Sequence, residues 1–84
     1  MVTAKITLKR ARDGWRVKDT VITYDERECE RLGPMDQVMD YEDAIKEAKR
    51  WVMLRIKSKN RGETEDDIIW DIEPSLPAQH ISKL

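Results

Sequence analysis

Apolar and polar residues alternate from the start of the chain: Val2, Ala4, Ile6 and Leu8 are separated by Thr3, Lys5, Thr7 and Lys9. A period of two sends the two sets to opposite sides of an extended chain, so this segment predicts a strand with one buried and one wet face. Arg12-Asp13-Gly14 follows as an Asp-Gly turn, in which glycine supplies the positive φ of a tight hairpin. A second strand then begins at Trp15. Trp15, Val17, Asp19 and Val21 share one parity, whereas Ile22 and Tyr24 have the other. Either a β-bulge near Asp19 resets the phase or the strand is covered on both sides near its end.

From Asp25 the pattern changes. Glu26-Arg27-Glu28-Cys29-Glu30-Arg31-Leu32, followed by Gly33-Pro34, suggests one or two helical turns capped by Asp25 and stopped by Gly33, with a polar loop as the alternative. Met35 to Met39 either forms a short extra strand or leads into the next element. That element is the clearest in the chain, a helix at about Tyr41 to Lys59. Asp40 suits its N-cap, Met39 and Ala44 suit a hydrophobic staple, and Glu42 and Asp43 fall in the first turn, where the helix dipole favours acids. Tyr41, Ala44, Ile45, Ala48, Trp51, Val52 and Ile56 form the stripe that faces a core. Lys57, Lys59 and Arg61 crowd the far end, and Asn60 and Gly62 are suited to stop it.

Beyond an acidic loop, Ile68, Trp70 and Ile72 alternate with Ile69, Asp71 and Glu73 as a last strand, closed by Pro74. The expected fold is α+β, a two-layer ββαβ domain over residues 1–74. Its mostly antiparallel sheet has three strands, or four with the extra one, packed on one long helix. Residues 75–84 read as a tail. The crossover rule places the last strand parallel to the second and beside the first.

Composition sharpens this picture. A chain of 84 residues has a thin core. Having no Phe, it must rely on aliphatic residues and on Trp15, Trp51 and Trp70, all three of which are expected inside. One cysteine, Cys29, and one histidine, His80, allow neither an internal disulfide nor an ordinary Cys/His zinc site, which points to a reducing compartment. With no signal peptide pattern and no apolar run of about 18 residues, the expected location is cytoplasmic and away from membranes. Charged residues reach 39% with few amides, a thermophile-like composition. The closing Ser82-Lys83-Leu84 matches a peroxisomal address, read here as coincidence.

The inventory for catalysis is poor. Cys29 lies between Glu28 and Glu30, which disfavour a thiolate, and no serine elbow or phosphate-binding glycine loop is present. No enzyme, cofactor or small-molecule substrate is indicated. Two binding chemistries remain as alternatives. Glu63, Glu65, Asp66 and Asp67 could collect a divalent cation, although their spacing is not that of a calcium loop. Lys5, Lys9, Arg12, Arg16 and Lys18 could offer a basic sheet face to nucleic acid. A last strand placed beside the first would set Asp71 and Glu73 against Lys5 and Lys9 and neutralise that face.

The leading expectation is a protein-interaction or adaptor domain. Trp51-Val52-Met53-Leu54-Arg55-Ile56 is apolar at five of six positions, with Met53 and Leu54 on opposite flanks of the stripe. Trp51, Met53, Leu54 and Arg55 are the candidate contacts for a protein partner or a second copy, as in a homodimer, unless Leu76, Ile81 and Leu84 of the tail cover them. Arg55 falls near the middle of the stripe, where it either pairs with Asp19 or, if the helix runs past the sheet there, snorkels to water.

Overall fold

The computed structural model describes residues 1–75, so the predicted tail, apart from Ser75, lies outside the described residues. Four strands and one long helix form two layers: β1 (Val2–Ala11), β2 (Gly14–Tyr24), β3 (Glu28–Leu32), α1 (Tyr41–Ser58) and β4 (Ile68–Glu73), with a 3₁₀ turn at Glu65–Asp67. The sheet order is β3-β2-β1-β4; β2 is antiparallel to both β1 and β3, while β4 is parallel to β1. The α+β class holds and the sheet has four strands, although the fourth is Glu28–Leu32 rather than Met35 to Met39. The last strand does lie beside the first, but it is not parallel to the second.

That error and the misreading of residues 25–33 have one cause. The segment read as helical turns is β3, an edge strand, and it adds one reversal of chain direction before the helix. A crossover that makes β4 parallel to the strand before it therefore makes β4 parallel to β3 and β1, and antiparallel to β2. Asp25 caps no helix. With Glu26 it forms a tight turn in which Arg27 N–H donates to the Tyr24 carbonyl (3.0 Å), and φ is 53° at Asp25 and 63° at Glu26. Two left-handed residues are the requirement of this hairpin turn, and glycine normally meets it at the second. Glu26 meets it with strain. Glu26→Gly is therefore expected to raise unfolding free energy by about 0.5–1 kcal/mol, measured by urea denaturation.

The β1–β2 hairpin resolves its change of parity by a bulge. Thr7 pairs with Asp19 and Leu8 with Val17, leaving Lys18 as the extra residue. The phase reset brings Trp15 and Val17 to the same side as Ile22 and Tyr24. No glycine has a positive φ, so Gly14 is needed for a different reason. The segment after β3 returns along the start of β2, with Trp15 and Met39 exchanging backbone hydrogen bonds of 2.7 and 2.8 Å. Gly14 lies directly under the Met39 carbonyl.

α1 covers one face of the sheet. Ala44, Ala48, Val52 and Ile56 are buried at four-residue spacing against Val2, Ala4, Ile6, Leu8, Val17, Ile22, Tyr24 and Ile68. Asp40 has the extended backbone of an N-cap, but its side chain makes no capping hydrogen bond. Past the last turn, Asn60 takes φ 60°, and Arg61 and Asn60 N–H groups donate back to the Ile56 and Lys57 carbonyls. This left-handed stop closes the helix. The three tryptophans do not all go inside. Trp15 and Trp70 are half-buried at the sheet margins, and Trp51 is 45% exposed. A single layer covers one stripe of a helix, and Trp51 lies on its flank.

Candidate functional site

Residues of the helix flank and the β3 edge enclose a concavity. It is a groove of about 610 Å³ lined by Trp51, Leu54 and Arg55 on one side and Arg31, Leu32, Gly33, Pro34 and Met35 on the other. Its helix wall follows from periodicity. Trp51 and Leu54 stand three apart on the flank beside the buried Val52. Its other wall exists because β3 stops at Leu32, where Gly33-Pro34 breaks the pairing and Met35 N–H resumes contact at the Val17 carbonyl (3.0 Å).

Trp51 and Arg55 are held in place in the groove wall. The Trp51 indole N–H donates to Glu47 (2.9 Å), and the Arg50 guanidinium stands 5.6 Å from its ring centroid. Arg55 does not pair with Asp19. Its partner is Glu30 on β3, while Asp19 pairs with Arg31 across the sheet (3.4 Å). Arg55 sits on the flank facing β3 rather than in the buried stripe, so its charge reaches a carboxylate at the sheet edge and stays 43% exposed. The Arg55 hydrogen bond holds the Glu30 carboxyl below its ordinary range, and Glu30 in turn holds the guanidinium proton more tightly.

Behind the groove lies a charged cluster that joins the helix end to β3. Tyr24 O–H donates to Glu30 (2.9 Å), and Lys59 and Arg61 stand 4.7 and 5.1 Å from the Tyr24 ring centroid. Lys59 pairs with Glu28, and Arg61 with Glu63 and Asp25. Several basic residues that crowd the helix C-terminus in the sequence are thus engaged within the domain. Burial, followed by the Glu30 hydrogen bond, pushes the Tyr24 hydroxyl up to about 12.

The candidate partner residues divide between two surfaces. Trp51, Leu54 and Arg55 line the groove, but Met53 faces the other flank and packs against the core. The acidic residues are also separated. Glu63 binds Arg61, Glu65 approaches Lys49 (3.8 Å), and Asp67 accepts from both the N–H and hydroxyl of Thr64 (2.8 and 3.0 Å). Among the described residues no group of three or more metal-ligating side chains comes together. Of the basic candidates, Lys5 is opposite Asp71 and pairs with Glu73 (3.4 Å), as a neutralised face requires. Lys9 escapes this because β4 pairing ends at Thr7. Arg12 is in the hairpin turn, and Lys9, Arg16 and Lys18 line a smaller pocket with Val17, Pro34, Met35 and Asp36.

Leu32, Pro34 and Met35 were not among the expected contacts. Met35-to-Met39 ambiguity was the only signal that this segment packs back on the sheet. Comparison with known proteins finds no matching family model, curated protein or solved structure. No helix among the described residues is long and apolar enough to cross a membrane.

Proposed function

We propose that this chain is a non-enzymatic protein-interaction domain that seats an apolar side chain of a protein partner in the groove between α1 and the β3 edge. The observation that carries this reading is the pairing of two half-exposed large residues, Trp51 and Leu54, with Leu32, Pro34 and Met35 across one concave surface. Isolated exposed apolar residues are ordinary, but a contiguous apolar concavity with a rigid aromatic is the usual form of a recognition hot spot. Seating a leucine-sized anchor there is worth about 1.5–3 kcal/mol from apolar burial.

Selection of random peptides on the purified domain tests the reading, with Leu54→Ser as the control. Leu54 is 46% exposed and belongs to neither core cluster, so the variant is expected to fold with a stability change of about 0.5 kcal/mol or less. Peptides enriched on the parent protein should bind Leu54→Ser about tenfold more weakly, the affinity equivalent of part of one anchor's burial. Failure to enrich any peptide family, or equal binding by the variant, would sink the proposal.

A further inference from the structure

The apolar groove is continuous with a pocket of unneutralised positive charge. Pro34 and Met35 line both concavities, so the wall where β3 pairing breaks is also the partition between them. On the far side stand Lys9, Arg16 and Lys18, with Asp36 as the single acid of that pocket. None of the three cations has an ion-pair partner among the described residues. The contrast with the groove itself is sharp, because its cations Arg31 and Arg55 are already matched by Asp19 and Glu30.

Two independent features of the backbone bring the cations together. Lys9 and Arg16 are direct cross-strand partners on the β1–β2 hairpin, beyond the last pairing of β4, which supplies Glu73 to Lys5 but nothing to Lys9. Like charges placed directly opposite one another on a sheet are destabilising. The bulge then inserts Lys18 as an additional residue close to the same pair, adding a third positive charge where the fold alone would favour an acid.

We infer that the partner is an acidic peptide segment that crosses the sheet edge over Pro34 and Met35, its apolar anchor against Trp51 and Leu54 and its carboxylates toward Lys9, Arg16 and Lys18. This rests on the groove reading above and adds the charge of the ligand to it. Recognition of acidic motifs by clustered cations is an established mode of peptide binding. Charge complementarity selects this occupant over the chain's own final residues, since residues 76–84 carry Lys83 and no acid. An apolar groove also favours a peptide over nucleic acid: a phosphodiester strand has no aliphatic anchor, and the Trp51 ring already has Arg50 against it.

The test uses three display libraries of peptides about twelve residues long, equal in apolar content and differing only in whether their polar positions are Asp/Glu, Lys/Arg or Ser/Gln. The full chain should enrich the acidic library. Binding of the enriched peptides should weaken about tenfold in the double variant Lys9→Glu/Arg16→Glu, and also as salt rises from about 50 to about 300 mM. Both substituted side chains lie on the uncovered sheet face, and circular dichroism confirms that the variant is folded before binding is measured.

Enrichment of all three libraries alike, or of the acidic library with no loss in the double variant, overturns the inference while leaving the groove reading standing. Enrichment of none overturns both. Salt-dependent binding of labelled oligonucleotides that is lost in the double variant but kept in Leu54→Ser assigns the cations to nucleic acid and overturns it as well. So does a dimer, seen by sedimentation, that dissociates in the double variant, since the occupant would then be a second copy.

Discussion

Tyr24→Ala should lose about 4 kcal/mol of unfolding free energy, enough to leave a domain of this size close to its unfolding midpoint. Tyr24 is 2% exposed and heads the buried side chains by volume. Its ring packs with Val2, Ile22, Val52 and Ile56, so truncation opens a cavity between the sheet and the last turns of α1. It also removes the ring over which Lys59 and Arg61 stand and the hydroxyl that donates to Glu30. Guanidinium denaturation followed by tryptophan fluorescence measures the loss. A change below about 1 kcal/mol would mean that the helix end is held by its ion pairs alone.

The same residue makes stability depend on pH at the alkaline end. The unfolded chain releases the tyrosine proton near 10.0, whereas in the fold it is held to about 12. Below the lower value both states carry the proton and the contribution is complete. Between the two values the unfolded chain binds fewer protons, so stability falls as pH rises, by on the order of 2 kcal/mol across the window. Tyr24→Phe keeps the ring and removes the titration. Its stability should fall less steeply than that of the parent over this interval, and parallel slopes would contradict the assignment.

Gly14→Ala is the second substitution with a large expected cost, about 2 kcal/mol. A Cβ at this position would lie 2.6 Å from the Met39 carbonyl oxygen and 3.1 Å from Val38 Cγ1. The carbonyl cannot withdraw freely, because it accepts the Trp15 N–H and the Met39 N–H donates to the Trp15 carbonyl in return. Relief of the clash must stretch that bridge. Hydrogen exchange should show faster opening at Met35 and Met39 in the variant, in step with the loss of stability. Unchanged protection at both would show that the segment accommodates the methyl group without moving.

How much of this was legible in the chain depended on whether a residue's partner was close in sequence. The helix was, since its stripe, its Asp40 start and its Asn60 stop lie within one continuous stretch. The bulge was legible only as one of two ways to reconcile Val17 with Ile22, the other being a strand covered on both sides. β3 was not. Only Leu32 turns an apolar side chain toward the helix side, while Glu28 and Glu30 meet Lys59 and Arg55 from a helix whose packing lies far along the sequence. Its turn was hidden because Glu26 occupies the position where glycine would announce a hairpin. The site shows the same division. Trp51 and Leu54 could be picked out from helical periodicity, but the opposing wall depends on Gly33-Pro34 breaking an edge strand that the sequence did not reveal. Arg55 was misplaced for the same reason, its carboxylate being on that strand.

The position of β4 has a consequence for how the domain is made. β1 pairs along its first six residues with β4, from Val2 opposite Ile68 to Thr7 opposite Glu73. During synthesis the first three strands can form their meander early, yet β1 must wait, one side unpaired, until the last strand leaves the ribosome. For that interval Val2, Ala4 and Ile6 lie along an open edge that a neighbouring nascent chain could capture. Lys5, whose acid arrives only with β4, then stands on that edge as an unpaired charge that discourages such capture.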